Sequence, residues 1–196
     1  MEHTAFQDLA VIIRGRRTRK VDHMNGRKID AAWVEALLQL ADYAPTHGRT
    51  EPWRFYVFEG HSFAAFCRDH AQMYREHTPP ERFRESIWSK LQHQSDKASH
   101  LIITVMKRTP DSKIPAEEEY AAVAAAMQNM LLGASALGLA AIWSTGGMAH
   151  HPAMKDYLRL EAADRIVGFL YLGFSDEPAG AGARSIPMAE KVNWKD

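Results

Sequence analysis

Residues 117–147, EEEYAAVAAAMQNMLLGASALGLAAIWSTGG, constrain this chain more than any other stretch. Between Tyr120 and Leu139 only Gln128, Asn129 and Ser135 are polar, so the segment is apolar on every face, and such a helix must be buried in protein or lipid. A bilayer takes a run of roughly 20 apolar residues, but Gln128 and Asn129 adjoin near the middle and would be costly there. Burial in protein follows. Glu117, Glu118 and Glu119 suit the positive end of the helix dipole, and Gly138 is placed as the left-handed residue that ends the helix. The small residues Ala121, Ala122, Ala124, Ala125, Ala126, Gly133, Ala134 and Ala136 let another backbone approach closely, as where a central helix is surrounded or meets its own copy. Residues 139–143 then form a short buried strand, which emerges into Ser144, Thr145, Gly146 and Gly147, small residues that can bring backbone donors up to a ligand.

The rest of the chain supplies elements to pack around that helix. Phe6, Leu9, Ala10 and Ile13 recur at helical spacing, and their helix runs into Arg14, Arg16, Arg17, Arg19 and Lys20, with Gly15 and Thr18 among them. Five cations in seven positions either complement a helix C-terminus or form an anion site, in which arginine offers paired planar donors and Thr18 a hydroxyl. Asp30 caps a second helix with the stripe Val34, Leu37, Leu38 and Ala41, stopped by Pro45. The polar loop 45–52, PTHGRTEP, leads at once into the strand 53–58. Ser62 is read as the cap of a third helix carrying Phe63, Phe66, Cys67, His70 and Tyr74. Thr78, Pro79, Pro80 and Glu81 read as a capping box opening a fourth helix, which presents Phe83, Ile87 and Leu91. Residues 101–106 form a central strand, and residues 166–173 the last one. His150 and His151 look like entry residues of a short helix from Pro152 through Leu158, and the polar tail has Arg184, Lys191 and Trp194 as its anchors.

At 196 residues the chain fits one domain, 1–196, with residues 174–196 as a tail. The 24 acidic and 24 basic residues balance, so no global field attracts nucleic acid or an anionic membrane surface. A single cysteine, Cys67, excludes an internal disulfide and fits a reducing compartment, so a cytoplasmic location is expected. The charges of the N-terminal segment follow its apolar run, and no secretory signal is expected. His70, His77, His93 and His100 lack ligand spacing, and no metal site is expected.

Four motifs in register resemble the nitroreductase family of FMN-dependent flavoproteins over nearly the whole chain. Arg16, Arg17 and Thr18 resemble its Arg-Arg-Ser/Thr motif, and Ala44, Pro45, Thr46, His47, Gly48, Arg49, Thr50, Glu51, Pro52 and Trp53 its Ala-Pro-x-His-x-x-x-Gln/Glu-Pro-Trp loop. Residues 128–143 resemble its Gln-Asn helix and following Trp, and residues 166–173 its closing strand. The resemblance implies an α+β fold, with a central, mostly antiparallel sheet flanked by helices, in an intertwined homodimer whose tails pack on the partner. It implies that Arg16, Arg17 and Thr18 bind the FMN phosphate. His47 and Glu51 would face the flavin of the other subunit, and Trp143, Ser144, Thr145 and Gly146 that of their own. Arg184 resembles a basic tail residue directed at the phosphate, and Lys20 one near the pyrimidine edge. Arg49 and Glu51, where many longer members have Asn and Gln, and Ser144, where some short members have Arg, leave substrate and nicotinamide preference open.

The activity so implied is an NAD(P)H oxidoreductase that alternates between reduction by the nicotinamide and oxidation by a nitroaromatic, quinone or related electrophile. The flavin carries the chemistry, so no catalytic side chain is expected, and no Rossmann glycine motif is needed. Reductive dehalogenation or enone reduction would use the same scaffold. The rivals from other classes are a flavin-binding redox sensor or store without turnover, and a cofactor-free dimeric scaffold.

Overall fold

The computed structural model describes residues 4–178 and 180–195; residues 1–3, 179 and 196 of the expected single domain lie outside the described residues. Its frame is a four-stranded antiparallel sheet in the order β1 (Trp53–Glu59), β2 (His100–Met106), β4 (Arg165–Gly173), β3 (Ala140–Ser144). Strands β2 and β4 are central, which is why their sequences are almost continuously apolar. Alternate residues of β2 divide between two cores. Leu101, Ile103 and Val105 face a layer made by α3 (Gly60–His77), α4 (Glu85–Gln92), α5 (Gln94–Lys97) and α7 (Pro152–Tyr157). Ile102 and Met106 face α2 (Ala31–Asp42) and α6 (Ala116–Ala136).

The register slips between Thr104 and Val105: Thr104 is opposite Gly168, but Val105 is opposite Ile166, so Val167 is the extra residue of a bulge. Beyond it the inward set of β4 changes parity, with Ile166 and Phe169 on the α3 side and Val167 and Leu170 on the α6 side. The Val167 carbonyl accepts a hydrogen bond from Trp143 Nε1 at 3.1 Å.

Helix α6 begins with its three glutamates and ends at Gly138, φ 69°, in a Schellman pair. The Gly138 N–H donates to Ser135 O at 3.1 Å and the Leu139 N–H to Ala134 O at 2.8 Å. One stripe of α6 stays uncovered, with Ala121, Gln128 and Ala136 exposed and Ala124, Ala125, Leu132 and Ser135 half-buried. Among the described residues, no helix is long and apolar enough to cross a membrane.

Several local expectations change. Helix α1 (Thr4–Gly15) forms, but it buries no residue in its own chain: Phe6 is 69% exposed and Ile13 48%. Its apolar stripe looks outward. Asp30 caps α2 as expected, its carboxylate accepting from the Ala32 N–H at 2.8 Å. Ser62 does not cap α3. The helix starts at Gly60 with Glu59 at the cap, and Ser62 is its reciprocal partner, its Oγ accepting from the Glu59 N–H at 3.1 Å. Nor does Thr78 open α4, which begins only at Glu85. Arg82 and Phe83 both donate to Pro79 O, at 2.9 and 3.0 Å, closing one turn that extended Arg84 breaks, and Phe83 packs on Tyr74 from that turn instead. Trp194, expected to anchor the tail, is 89% exposed among the described residues.

Candidate functional site

The sequence cluster 14–20 comes to lie along the open edge of the sheet. Past Gly15 the chain straightens and pairs in parallel with β3 through Thr18 and Ala141, the Arg19 N–H donating to Ala141 O at 2.9 Å. A cleft of about 240 Å³ opens here between Gly15, Arg16, Arg17 and Arg19 on one side and Leu131, Ser135 and residues 138–141 on the other, with Ser175 and Glu177 closing it.

Its three arginines do different work. Arg17 turns back on the end of α1, Nη1 donating to Arg14 O at 2.6 Å and Arg16 O at 2.9 Å, while Nε donates to Gly180 O at 2.9 Å. This complements the negative end of the helix dipole and leaves Nη2 for another partner. Gly182 lies against the same guanidinium, where a Cβ would stand 2.5 Å from Cζ. Arg19 reaches the tail too, Nη2 donating to Glu177 O at 2.8 Å, with the Glu177 carboxylate 3.6 Å from Nη1 and 3.0 Å from His23. Arg16 is the exception. Arg16 is half-buried and lines the cleft, and its guanidinium bonds to no described residue. A cation held in a cleft without a counter-ion is the donor set an anionic group needs.

At the far end of β3, four residues or roughly 13 Å beyond Ala140, lie the other predicted residues of this edge. Trp143 is fixed by its bond to Val167 O, and Gly168 makes room for the ring. Ser144 Oγ accepts from the Gly146 N–H at 3.3 Å, and Thr145 and Gly146 are exposed. Thus Arg16, Arg17, Thr18, Trp143, Ser144, Thr145 and Gly146 share one edge of the molecule. Arg184 is exposed and, among the described residues, donates only to its neighbour's carbonyl, Ala183 O, at 2.9 Å.

His47 and Glu51 lie elsewhere in the same chain. His47 Nδ1 is 2.6 Å from Glu118 Oε2, beside Ala121, Ala122 and Ala125 at the N-terminal half of α6. Glu51 lines a separate hollow with Leu38, Asp42, Trp53 and Phe55. Between Glu118 and Ser135 the helix climbs roughly 26 Å at 1.5 Å per residue, so this loop and the arginine cleft sit at opposite ends of α6. The loop is strained: Gly48, Arg49 and Glu51 all have left-handed backbones, φ 60°, 55° and 43°. Non-glycine residues held there are uncommon and cluster at functional sites.

Three residues near this edge escape a reading of the sequence for chemistry. Arg19 was visible only as one more cation of the cluster, and Glu177 carried no signal. His70 belongs to the apolar stripe of α3, yet its Nε2 accepts from the Met148 N–H at 3.0 Å, just beyond Gly146 and Gly147. Burial alone pushes its imidazole down to about 4.

Comparisons with known proteins bear on the family and the fold. The model of the nitroreductase family matches residues 13–174. YdjA of Escherichia coli K12, provisionally named an NAD(P)H nitroreductase, is 26% identical over 140 residues, 71% of this chain and 74% of its own. A nitroreductase-like family protein of Bacillus cereus superposes with a TM-score of 0.79 at 26% identity, covering 96% of each chain. NfnB of Mycobacterium smegmatis, an FMN-dependent nitroreductase solved with NADPH, superposes at 0.76 with 14% identity over 98% of this chain and 100% of its own. With the family model spanning most of its length and the fold in agreement, the chain belongs to the nitroreductase family.

Proposed function

We propose that this chain is an FMN-dependent NAD(P)H oxidoreductase that passes electrons to nitroaromatics, quinones or related electrophiles, and that it works as a homodimer. The observation that carries the reading is Arg16, a half-buried residue with an uncompensated guanidinium in a cleft that runs onto β3. The names of YdjA and NfnB, with their nicotinamide and FMN, support the cofactor and the reductant.

The donor set fits FMN. Arg16, the free Nη2 of Arg17 and the Thr18 hydroxyl would hold the phosphate, with Arg184 available from the tail. Trp143, Ser144, Thr145 and Gly146 would form the wall beside the ring system. Bound FMN supplies the hydride-accepting and hydride-donating centre, so no side-chain nucleophile is required. The Thr145 N–H and the Ser144 and Thr145 hydroxyls of the loop after β3 would donate to ring heteroatoms and stabilise negative charge there.

The dimer reading follows from two uncovered apolar surfaces, the outward stripe of α1 and the small-residue stripe of α6. A second copy crossing α6 in the opposite sense would bring its own His47 and Glu51 loop to the arginine end of the first. That packing closes the roughly 26 Å gap along the helix and completes a site that one chain leaves open.

The test is spectroscopic. Purified protein should take up FMN, bleach anaerobically with NADH or NADPH, and recolour on addition of a nitro compound or quinone. Arg16→Ala should weaken FMN binding while leaving the fold intact. A monomer with no affinity for FMN would refute the proposal, and flavin that binds but never bleaches would refute turnover.

A further inference from the structure

His70 sits on the inner face of α3 and is 1% exposed. Its ring lies edge-on to Phe169, centroids 5.6 Å apart at 82°, and tilted on Phe66 at 5.3 Å. Because Nε2 accepts the Met148 N–H at 3.0 Å, that nitrogen must be bare, and the ring proton resides on Nδ1. Nδ1 is itself buried without a partner among the described residues. An unpaired buried donor costs free energy, so a leucine of similar bulk would pack there at less expense. Only the bond to Met148 distinguishes histidine at this position.

The loop is shaped around the ring. Gly147 crosses it with φ 66°, and a Cβ on that residue would stand 2.6 Å from His70 Nε2 and 2.9 Å from Cε1, so neither the backbone nor the space admits a side chain. Met148 and Ala149 are buried directly after it, whereas Thr145 and Gly146 are exposed directly before. One end of this short span is therefore held by the β3 ladder, and the other by the imidazole.

We propose that His70 is a positioning residue: it pins the far end of the loop between β3 and α7, so that the exposed Thr145–Gly146 backbone keeps its place beside the flavin ring. The inference rests on the reading of that loop as the wall beside the ring. The pin requires a neutral imidazole, since a protonated Nε2 would confront the Met148 N–H donor to donor. The ring is faced by Phe66 of α3, Phe169 of β4 and the backbone of Gly147 and Met148. No charged or titratable group on these elements contributes to the lowering of its pKa to about 4.

The experiment compares His70→Leu, which removes the acceptor, with His70→Gln, whose Oε1 can replace it. Each is titrated with FMN and with riboflavin by quenching of flavin fluorescence, and amide exchange at Met148 is measured without flavin. His70→Leu should raise both dissociation constants about tenfold, the loss of one hydrogen-bonded restraint, whereas His70→Gln should change them by less than about threefold. Arg16→Ala, by contrast, should weaken FMN and spare riboflavin. Met148 exchange should accelerate by ~100-fold in His70→Leu relative to the amides of α6, and be restored in His70→Gln. Unchanged exchange at Met148 would overturn the pin. Fast exchange with unchanged flavin affinities would overturn its role toward the ring. If the wild-type chain bound no flavin, the proposed function would fail, and the inference would fail with it even if exchange showed that His70 holds the loop.

Discussion

Replacing Gly168 by alanine would put a methyl carbon where the Trp143 indole now lies. The added Cβ would stand 2.1 Å from Nε1, 2.5 Å from Cδ1 and 3.2 Å from the Ser144 carbonyl oxygen. Gly168 does not occupy the left-handed region, so the backbone accepts alanine and the cost is the collision itself. The indole must swing away and release the Val167 carbonyl, which costs about 1 kcal/mol for the hydrogen bond, and the crowding adds about 1–3 kcal/mol. The sum, roughly 2–4 kcal/mol, is a large fraction of the ~5–15 kcal/mol that holds a domain together, and should lower Tm by roughly 5–15 °C. Denaturant unfolding at fixed protomer concentration measures it, because association also contributes to apparent stability. A double-mutant cycle isolates the cause: in a Trp143→Ala background, where the space is already vacated, Gly168→Ala should cost less than about 1 kcal/mol. An equal cost in both backgrounds would refute the steric account and place the effect in the β4 bulge.

His70 gives a pH prediction: its folded-state pKa of about 4 is below the ordinary 6.5, so the unfolded chain takes up the proton first, and stability present above pH 6.5 declines as pH falls toward 4. By pH 5 this amounts to about 2 kcal/mol relative to pH 8, a slope that His70→Gln should lack in urea titrations. Burial pushes the Glu119 carboxyl up, but hydrogen bonds from Thr109 and Arg108 hold it below the usual range. The stability from that pair should be present above the ordinary carboxylate pKa and lost as pH falls through the folded one. Arg108→Met, which removes the counter-charge from buried Glu119, should cost about 3–5 kcal/mol at pH 7. Leu9→Asp and Ile13→Asp, on the uncovered stripe of α1, should convert a dimer to monomers in sedimentation while leaving far-UV circular dichroism of the sheet and central helix in place.

What the sequence made legible was whatever depends on near neighbours. The all-apolar stretch of α6, its stop at Gly138 and the Asp30 cap are local patterns, and the structure matches them. So are β2 and β4, as unbroken apolar runs. Local signals misled where two of them competed: Glu59 and Ser62 can each cap a helix, and Pro79 followed by Pro80 promotes one turn without a helix behind it. The candidate site was half legible. The basic cluster marked a candidate anion site, but the tail partners of Arg17 and Arg19 are 163 and 158 positions away, and Met148 is 78 positions from His70. No periodicity encodes pairings at that range. The exposed stripe of α1 reads as an ordinary core-facing pattern because a sequence does not say whose core it faces.

That helix has a thermodynamic consequence. Twelve residues with nothing buried make a marginal helix in water, and Arg16, proposed above to hold the phosphate, follows it immediately. In the proposed dimer, subunit association would therefore stiffen the support of the phosphate grip at the same moment as it covers α1. Diluting the protein toward its dissociation limit would then loosen the prosthetic group without any chemical change, so that flavin content becomes a readout of how much enzyme is in the tube.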